Sequence, residues 1–156
     1  MYRPAAGGKG RVRLAATQSR GLFGLAGKPP TLPRPLESVV RWEVGWYNES
    51  LPRFLLSHPE EEVSLLHVDC DLYSSTTTVL TLLASRMRAG TVIIFDELYN
   101  YPEYRSHELL ALWEFLRDHR GFALRLLAVS THDIELAPRV ENFKQACAFV
   151  LVAAPS

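Results

Sequence analysis

Two short apolar runs constrain this chain more than anything else in it. Val63-Ser-Leu-Leu-His-Val68 and Thr91-Val-Ile-Ile-Phe95 have the length of buried strands, and each runs straight into carboxylates: Asp69 and Asp71 after the first, Asp96 and Glu97 after the second. Between them Val79, Leu80, Leu83 and Met87 recur at helical spacing, Ser74 or Ser75 can cap the start, and Gly90 supplies the stop. A strand, a helix and a second strand in this space form a crossover unit. Its right-handed sense makes the strands parallel, and their near-continuous hydrophobicity predicts that both sheet faces are covered.

The same alternation continues downstream. A helix is predicted from about Pro102 to His119, with Leu109, Leu112, Trp113 and Leu116 on one face and Gly121 at its end. Phe122 to Val129 and Ala146 to Val152 are apolar runs, and the polar Ser130-Thr131-His132-Asp133 between them suggests a turn that lets the last two strands pair antiparallel. Upstream, Asn48 or Ser50 with Pro52 opens a short helix carrying Phe54 and Leu55. The fold class is therefore α/β, a mostly parallel sheet with an antiparallel last strand and helices packed on it.

Composition sharpens the domain division. The chain has 156 residues and a formal net charge of zero, but residues 1–36 carry seven bases (Arg3, Lys9, Arg11, Arg13, Arg20, Lys28, Arg34) and no acid. Residues 37–156 hold ten bases against seventeen acids, a net of −7. The leading stretch also holds six of the nine glycines and five of the ten prolines, so it reads as a basic, largely irregular leader (residues 1–36) ahead of an acidic α/β body (residues 37–156). Its Arg-rich, acid-free start also resembles an organelle transit peptide, although it is poor in Ser. The bases are spread out with few aromatics between them, which argues against nucleic acid as a partner. No run approaches the ~18 apolar residues that a membrane span needs. Two cysteines, Cys70 and Cys147, make no disulfide scaffold; both are expected as small buried residues in a reducing, cytoplasmic setting.

The four carboxylates carry the chemistry. In an open parallel sheet, ligands bind at the carboxyl ends of the strands, and two adjacent parallel strands bring Asp69, Asp71, Asp96 and Glu97 to one edge. Such groups repel unless a cation, a substrate amine or a set of donors compensates them. An all-oxygen set suits Mg²⁺ or Mn²⁺. Asp71 is also placed to cap the helix that follows it. A D-x-D after a strand occurs in haloacid dehalogenase-type phosphotransferases and in glycosyltransferases too. Tyr73, where the former usually have Thr or Val, and the short chain count against both.

The run His67-Val-Asp-Cys-Asp-Leu-Tyr-Ser-Ser-Thr76 followed by Met87-Arg-Ala-Gly-Thr-Val-Ile-Ile-Phe-Asp-Glu97 resembles the macrocin O-methyltransferase family of class I S-adenosylmethionine-dependent methyltransferases. Gly45-Trp46-Tyr47-Asn48-Glu49-Ser50-Leu51-Pro52 is similar to that family's Gly-Trp-Phe…Thr-Leu-Pro segment, and Tyr99-Asn-Tyr-Pro102 and His107-Glu108 to stretches after the second acidic motif of related methyltransferases. The resemblance implies a Rossmann-like sheet and transfer of a methyl group from S-adenosylmethionine to a small-molecule hydroxyl. It further implies a divalent metal, Mg²⁺ (or Mn²⁺), held by Asp69, Asp96 and Glu97, with Asp69 or Asp71 as general base. The family's metal pair is Asp-Asp, so Glu97 is a departure. The Gly-rich turn that grips the cofactor has no counterpart: Gly21-Leu-Phe-Gly24-Leu-Ala-Gly27-Lys28 follows no apolar strand and fits neither G-x-G-x-x-G nor a phosphate loop. The expectation is the carboxyl-terminal part of a methyltransferase domain without its first strands, its cofactor-binding residues unassigned.

A sheet without its first strands has an open edge, so self-association through that edge is expected, and with it a competing reading as a non-catalytic interaction module. His67 is expected to pack in the core, and His107 to lie solvated on its helix.

Overall fold

The computed structural model describes residues 28–130 and 145–155. The expected leader over residues 1–27 and most of the expected turn between the last two strands lie outside the described residues. The chain divides into two compact units, Met1–Val44 and Gly45–Ser156. In the first, Lys28–Pro33 is irregular and one short helix follows, α1 (Arg34–Glu37), with Pro35 in its first turn. None of its residues is buried.

The second unit is built from α2 (Tyr47–Ser57), β1 (Val63–Val68), α3 (Tyr73–Leu83), β2 (Met87–Phe95), α4 (Glu108–Asp118), β3 (Ala123–Val129) and β4 (Cys147–Ala153). Its four strands form one sheet in the order β1-β2-β4-β3. β1 and β2 are parallel, and β4 is antiparallel to both its neighbours, so three strands run one way and the last returns between two of them. The mostly parallel sheet with an antiparallel last strand is as expected. Leu98 N–H donates to the Gln145 carbonyl at 2.9 Å and Ser130 N–H to the Ala146 carbonyl at 2.9 Å, which ties the loop after β2 and the end of β3 to the start of β4.

One face of the sheet carries the core. Val68, Ile93, Phe95, Cys147 and Leu151 alternate inward and meet Leu80 of α3 and Leu112 and Phe115 of α4. The prediction that both faces are covered fails among the described residues. The opposite row runs Leu65, Val92, Val150, Arg125 across the sheet, and none of these residues is buried; Leu65 is 60% exposed. The strands are apolar on both faces, but the helices here supply only one layer.

Three local expectations are corrected. Met87 does not continue α3: a single 3₁₀ turn (Ala84–Arg86) intervenes, and Met87 opens β2, fully buried. Gly90 does not stop a helix but sits inside β2 at φ 99°, where the register with β1 jumps from Val63↔Met87 to Leu65↔Val92. Left-handed backbone of that kind favours glycine, and the buried Thr91 hydroxyl closes the irregularity by donating to the Val63 carbonyl at 2.6 Å and accepting from Arg88 N–H at 3.0 Å. Trp113 is not on the core face of α4. The buried set is Glu108, Ala111, Leu112 and Phe115, at i, i+3, i+4 and i+7, while Trp113 is 57% exposed beneath the Arg117 guanidinium. Gly121 lies beyond α4, where an added Cβ would meet Pro155 Cγ at 2.8 Å.

Candidate active site

The parallel pairing of β1 and β2 delivers the two acidic segments to one edge. Val68 is in register with Phe95, and Asp96 N–H donates to the Val68 carbonyl at 3.0 Å, so Asp69 and Asp96 leave the sheet side by side. Two of the four carboxylates respond to this edge. Burial raises the Asp71 carboxyl above the ordinary carboxylate range, and Asp69 and Asp96 raise it further, with His107 opposing. Glu97 is raised by burial and then by Asp71, Asp96 and Asp69, again against His107. Asp71 and Glu97 are therefore better proton acceptors than exposed carboxylates are.

The backbone between the aspartates is a tight turn. Leu72 N–H donates to the Cys70 carbonyl at 2.6 Å across Asp71, whose φ is 57°. An i→i+2 bond around a residue of positive φ is a γ-turn of the rarer, strained hand. The alternative role of Asp71 as a helix cap is not realised, because α3 begins after Leu72 with no side-chain cap. Cys70 is held from its other side as well: its N–H donates to Glu108 Oε1 at 3.3 Å.

Glu108 is wholly buried. Burial pushes its carboxyl up to about 7, although the backbone N–H groups of Cys70 and Glu97 favour its charged form; the charges of Glu97 and Asp71 add to the rise. Among the described residues, Glu108 Oε2, His107 Nδ1 and the Tyr101 hydroxyl are buried without a hydrogen-bond partner. The Tyr101 and His107 rings lie 6.2 Å apart, and burial pushes the Tyr101 phenol up to about 12, with Glu108, Glu97 and Asp71 contributing. Tyr47, the first residue of α2, also reaches the acidic turn: its phenol is pushed up to about 12 by burial and then by Cys70, Asp69 and Asp71.

Two histidine expectations are corrected. His67 is not a core residue; it alternates to the open face of β1, its side chain 51% exposed and its Nε2 3.9 Å from Asp96 Oδ1. His107 is not solvated: it is half-buried at the start of α4, with Nδ1 enclosed. Sequence reasoning also passed over Glu108 as a site residue. The available signal was a carboxylate on the apolar stripe of a helix, in register with Ala111, Leu112 and Phe115.

The donor types at this edge suit a hard divalent cation. As they stand, however, no three His, Cys, Asp or Glu side chains among the described residues are close enough together to hold one ion. Both cysteines are free, Cys70 half-buried and Cys147 buried. No helix of the described residues is long and apolar enough to cross a membrane.

Comparison with known proteins gives this edge a lineage. The profile of the family Macrocin-O-methyltransferase (TylF) matches residues 35–126, a stretch that takes in both acidic segments and Glu108. The chain is 32% identical over 78 residues to demethyldecarbamoylnovobiocin O-methyltransferase of Streptomyces niveus, covering 46% of this chain and 28% of that protein. It is 28% identical over 99 residues to mycinamicin III 3''-O-methyltransferase of Micromonospora griseorubida, covering 64% of this chain and 35% of that protein. The solved structure of the O-methyltransferase NovP superposes with a TM-score of 0.52 at 21% identity, over 75% of this chain and 40% of that one. The chain thus spans about a third of the curated relatives it matches. It belongs to the macrocin O-methyltransferase family, and its sheet is part of that Rossmann-like fold.

Proposed function

We propose that this member of the macrocin O-methyltransferase family serves an S-adenosylmethionine-dependent O-methyltransferase as the part that receives the acceptor, a small molecule presenting a hydroxyl. The observation that carries the reading is the gathering of Asp69, Asp71, Asp96 and Glu97 at the carboxyl edge of β1 and β2, inside the stretch the family profile matches. The relatives named above are O-methyltransferases of antibiotics, which supports a hydroxyl acceptor of that general kind, such as a sugar ring.

In this reading the acceptor hydroxyl meets the D-x-D turn, where Asp69 or Asp71 would accept its proton; S-adenosylmethionine, when bound, would supply the methyl group. Asp71 is the better candidate, because burial and the neighbouring carboxylates make it more basic than an ordinary aspartate. Glu97 adds negative potential, and Tyr47 and Tyr101, which remain protonated phenols at neutral pH, can donate to an acceptor's oxygens.

The described residues fit only part of the methyl donor's surroundings. β1 is an edge strand with Leu65 60% exposed, so the groove at its carboxyl end has a wall on the β2 side alone. No residue is assigned to the adenosine or the methionine, and no step is routed through them. For a metal, Asp69, Asp96 and Glu97 are the residues that would hold Mg²⁺ or Mn²⁺ once their side chains converge. A bound ion would offset the carboxylate charge and ease deprotonation of the hydroxyl. The two unbridged cysteines suit a cytoplasmic setting.

Isothermal titration of the folded chain with S-adenosylmethionine, in the presence and absence of Mg²⁺, tests the proposal. Saturable binding, tightened by the metal, is expected. A well-folded chain that binds neither would refute it for this chain acting alone, and leave the interaction-module reading in its place.

A further inference from the structure

We infer that Glu108 is the positioning residue of the acidic edge: from the first turn of α4 its buried carboxyl holds the Cys70 peptide, and so sets the turn on which Asp69 and Asp71 stand. The inference rests on the reading of that edge as the acceptor site, but its geometry stands on its own.

A carboxyl with no solvent exposure is an expensive occupant of an apolar helix stripe, and one of its oxygens here has no partner at all. An apolar side chain of similar volume would pack at this position without that penalty. What Glu108 supplies in return is one long-range contact, Oε1 to Cys70 N–H at 3.3 Å across 38 residues of sequence. The residue it grips is the one that opens the turn. The Cys70 carbonyl, in the next peptide, is committed to Leu72 N–H in a γ-turn, and the residue between them, Asp71, has a φ of 57°. Such a turn relaxes toward extended or helical backbone unless something outside it fixes the peptide. The backbone N–H of Glu97, from the loop after β2, also favours charge on the same carboxyl. One side chain of α4 therefore holds the loop that carries Asp69 and Asp71. His107, beside it in sequence, opposes the raised proton affinity of both Asp71 and Glu97.

The two cysteines of the chain make the test specific, since ¹⁵N-cysteine labelling yields two amide signals, Cys70 in the turn and Cys147 in β4 as an internal control. Amide hydrogen exchange is measured on the full chain for the wild type, Glu108→Ala, Glu108→Asp and Glu108→Gln. Loss of one buried bond to a carboxyl predicts about a tenfold or greater acceleration at Cys70 in Glu108→Ala and Glu108→Asp, with Cys147 unchanged. Glu108→Gln, which keeps the acceptor oxygen and the length, holds Cys70 within about threefold of the wild type. A general structural role would accelerate both amides together and would not be rescued by Gln. Where Glu108→Ala fails to fold, Glu108→Asp carries the test. Unchanged Cys70 exchange in Glu108→Asp, or equal acceleration at both cysteines, overturns the inference. The measurement needs no turnover, so it stands or falls separately from methyl transfer.

Discussion

Replacing Glu108 by Gln should change the pH dependence of stability in a way that isolates one buried ionisation. The Glu108 carboxyl rises from an ordinary 4.5 to about 7 on folding, with burial the leading cause. A carboxyl with a raised folded value keeps its proton longer in the native state than in the unfolded chain. Between those two pH values the native state binds more protons, so its contribution to stability falls as pH rises. Below 4.5 both states are protonated and the residue has no ionisation cost; above about 7 the native state carries the full cost. The difference between the two values, at about 1.4 kcal/mol per unit, makes that cost about 3 kcal/mol. Gln has the same shape and never ionises. Urea unfolding of both proteins at about pH 4 and about pH 8 should therefore show Glu108→Gln gaining about 3 kcal/mol on the wild type between the two conditions, whatever its fixed offset. The other groups that face the site, Asp71, Glu97, His107, Cys70 and Tyr101, are common to both proteins and largely cancel in the difference. Parallel stability curves from acid to alkaline pH would refute the reasoning, because they would mean that Glu108 is not buried as a carboxylate or already has a compensating partner.

Two further outcomes follow from the fold. Arg86 donates to the carbonyls of Leu55, His58, Pro59 and Glu61, tying the end of α2 and the loop before β1 to the turn that enters β2; Arg86→Ala should lower stability by about 2 kcal/mol in urea titration, and a loss under about 0.5 kcal/mol would show those contacts to be incidental. The β1 edge and the apolar residues Leu65, Leu126 and Val152 favour concentration-dependent association in sedimentation, suppressed by Leu65→Lys; a monomer at every concentration in both proteins would overturn the expectation of self-association.

The elements that were legible in the sequence are those decided by local pattern. Val63–Val68 is the strand its apolar run announces, and the parallel β1–β2 pair follows from the length of chain between them. What was not legible was decided by neighbours. Met87 fits the helical spacing of Val79, Leu80 and Leu83, but a 3₁₀ turn ends the helix before it and the strand buries it instead. Gly90 carries the same signal whether it stops a helix or turns a bulge, and only the Thr91–Val63 hydrogen bond distinguishes the two. Trp113 and Leu112 are adjacent, and which of them faces the core depends on the rotation of α4, which buries Glu108, Ala111, Leu112 and Phe115. His67 reads as core only if both faces of β1 are covered, and here one is open.

The acidic motifs were legible for a related reason. Strand ends fix where Asp69 and Asp96 emerge, so their proximity follows from parallel pairing before any side chain is placed. The chemistry of the edge depends on more than proximity. Four carboxylates alone would spread apart and stay fully ionised in water, and their protons would leave at ordinary pH. At this edge Asp71 is confined by a γ-turn, the turn by Cys70, and that residue by a carboxyl buried beneath it. Each link limits the freedom of the next to relax, and Asp71 and Glu97 are raised first by burial and then by the like charges beside them. On the proposed reading, the basicity of Asp71 is tied to packing in α4, some 37 residues downstream. The motif alone shows the carboxylates but not the buried Glu108 that the proposed arrangement depends on.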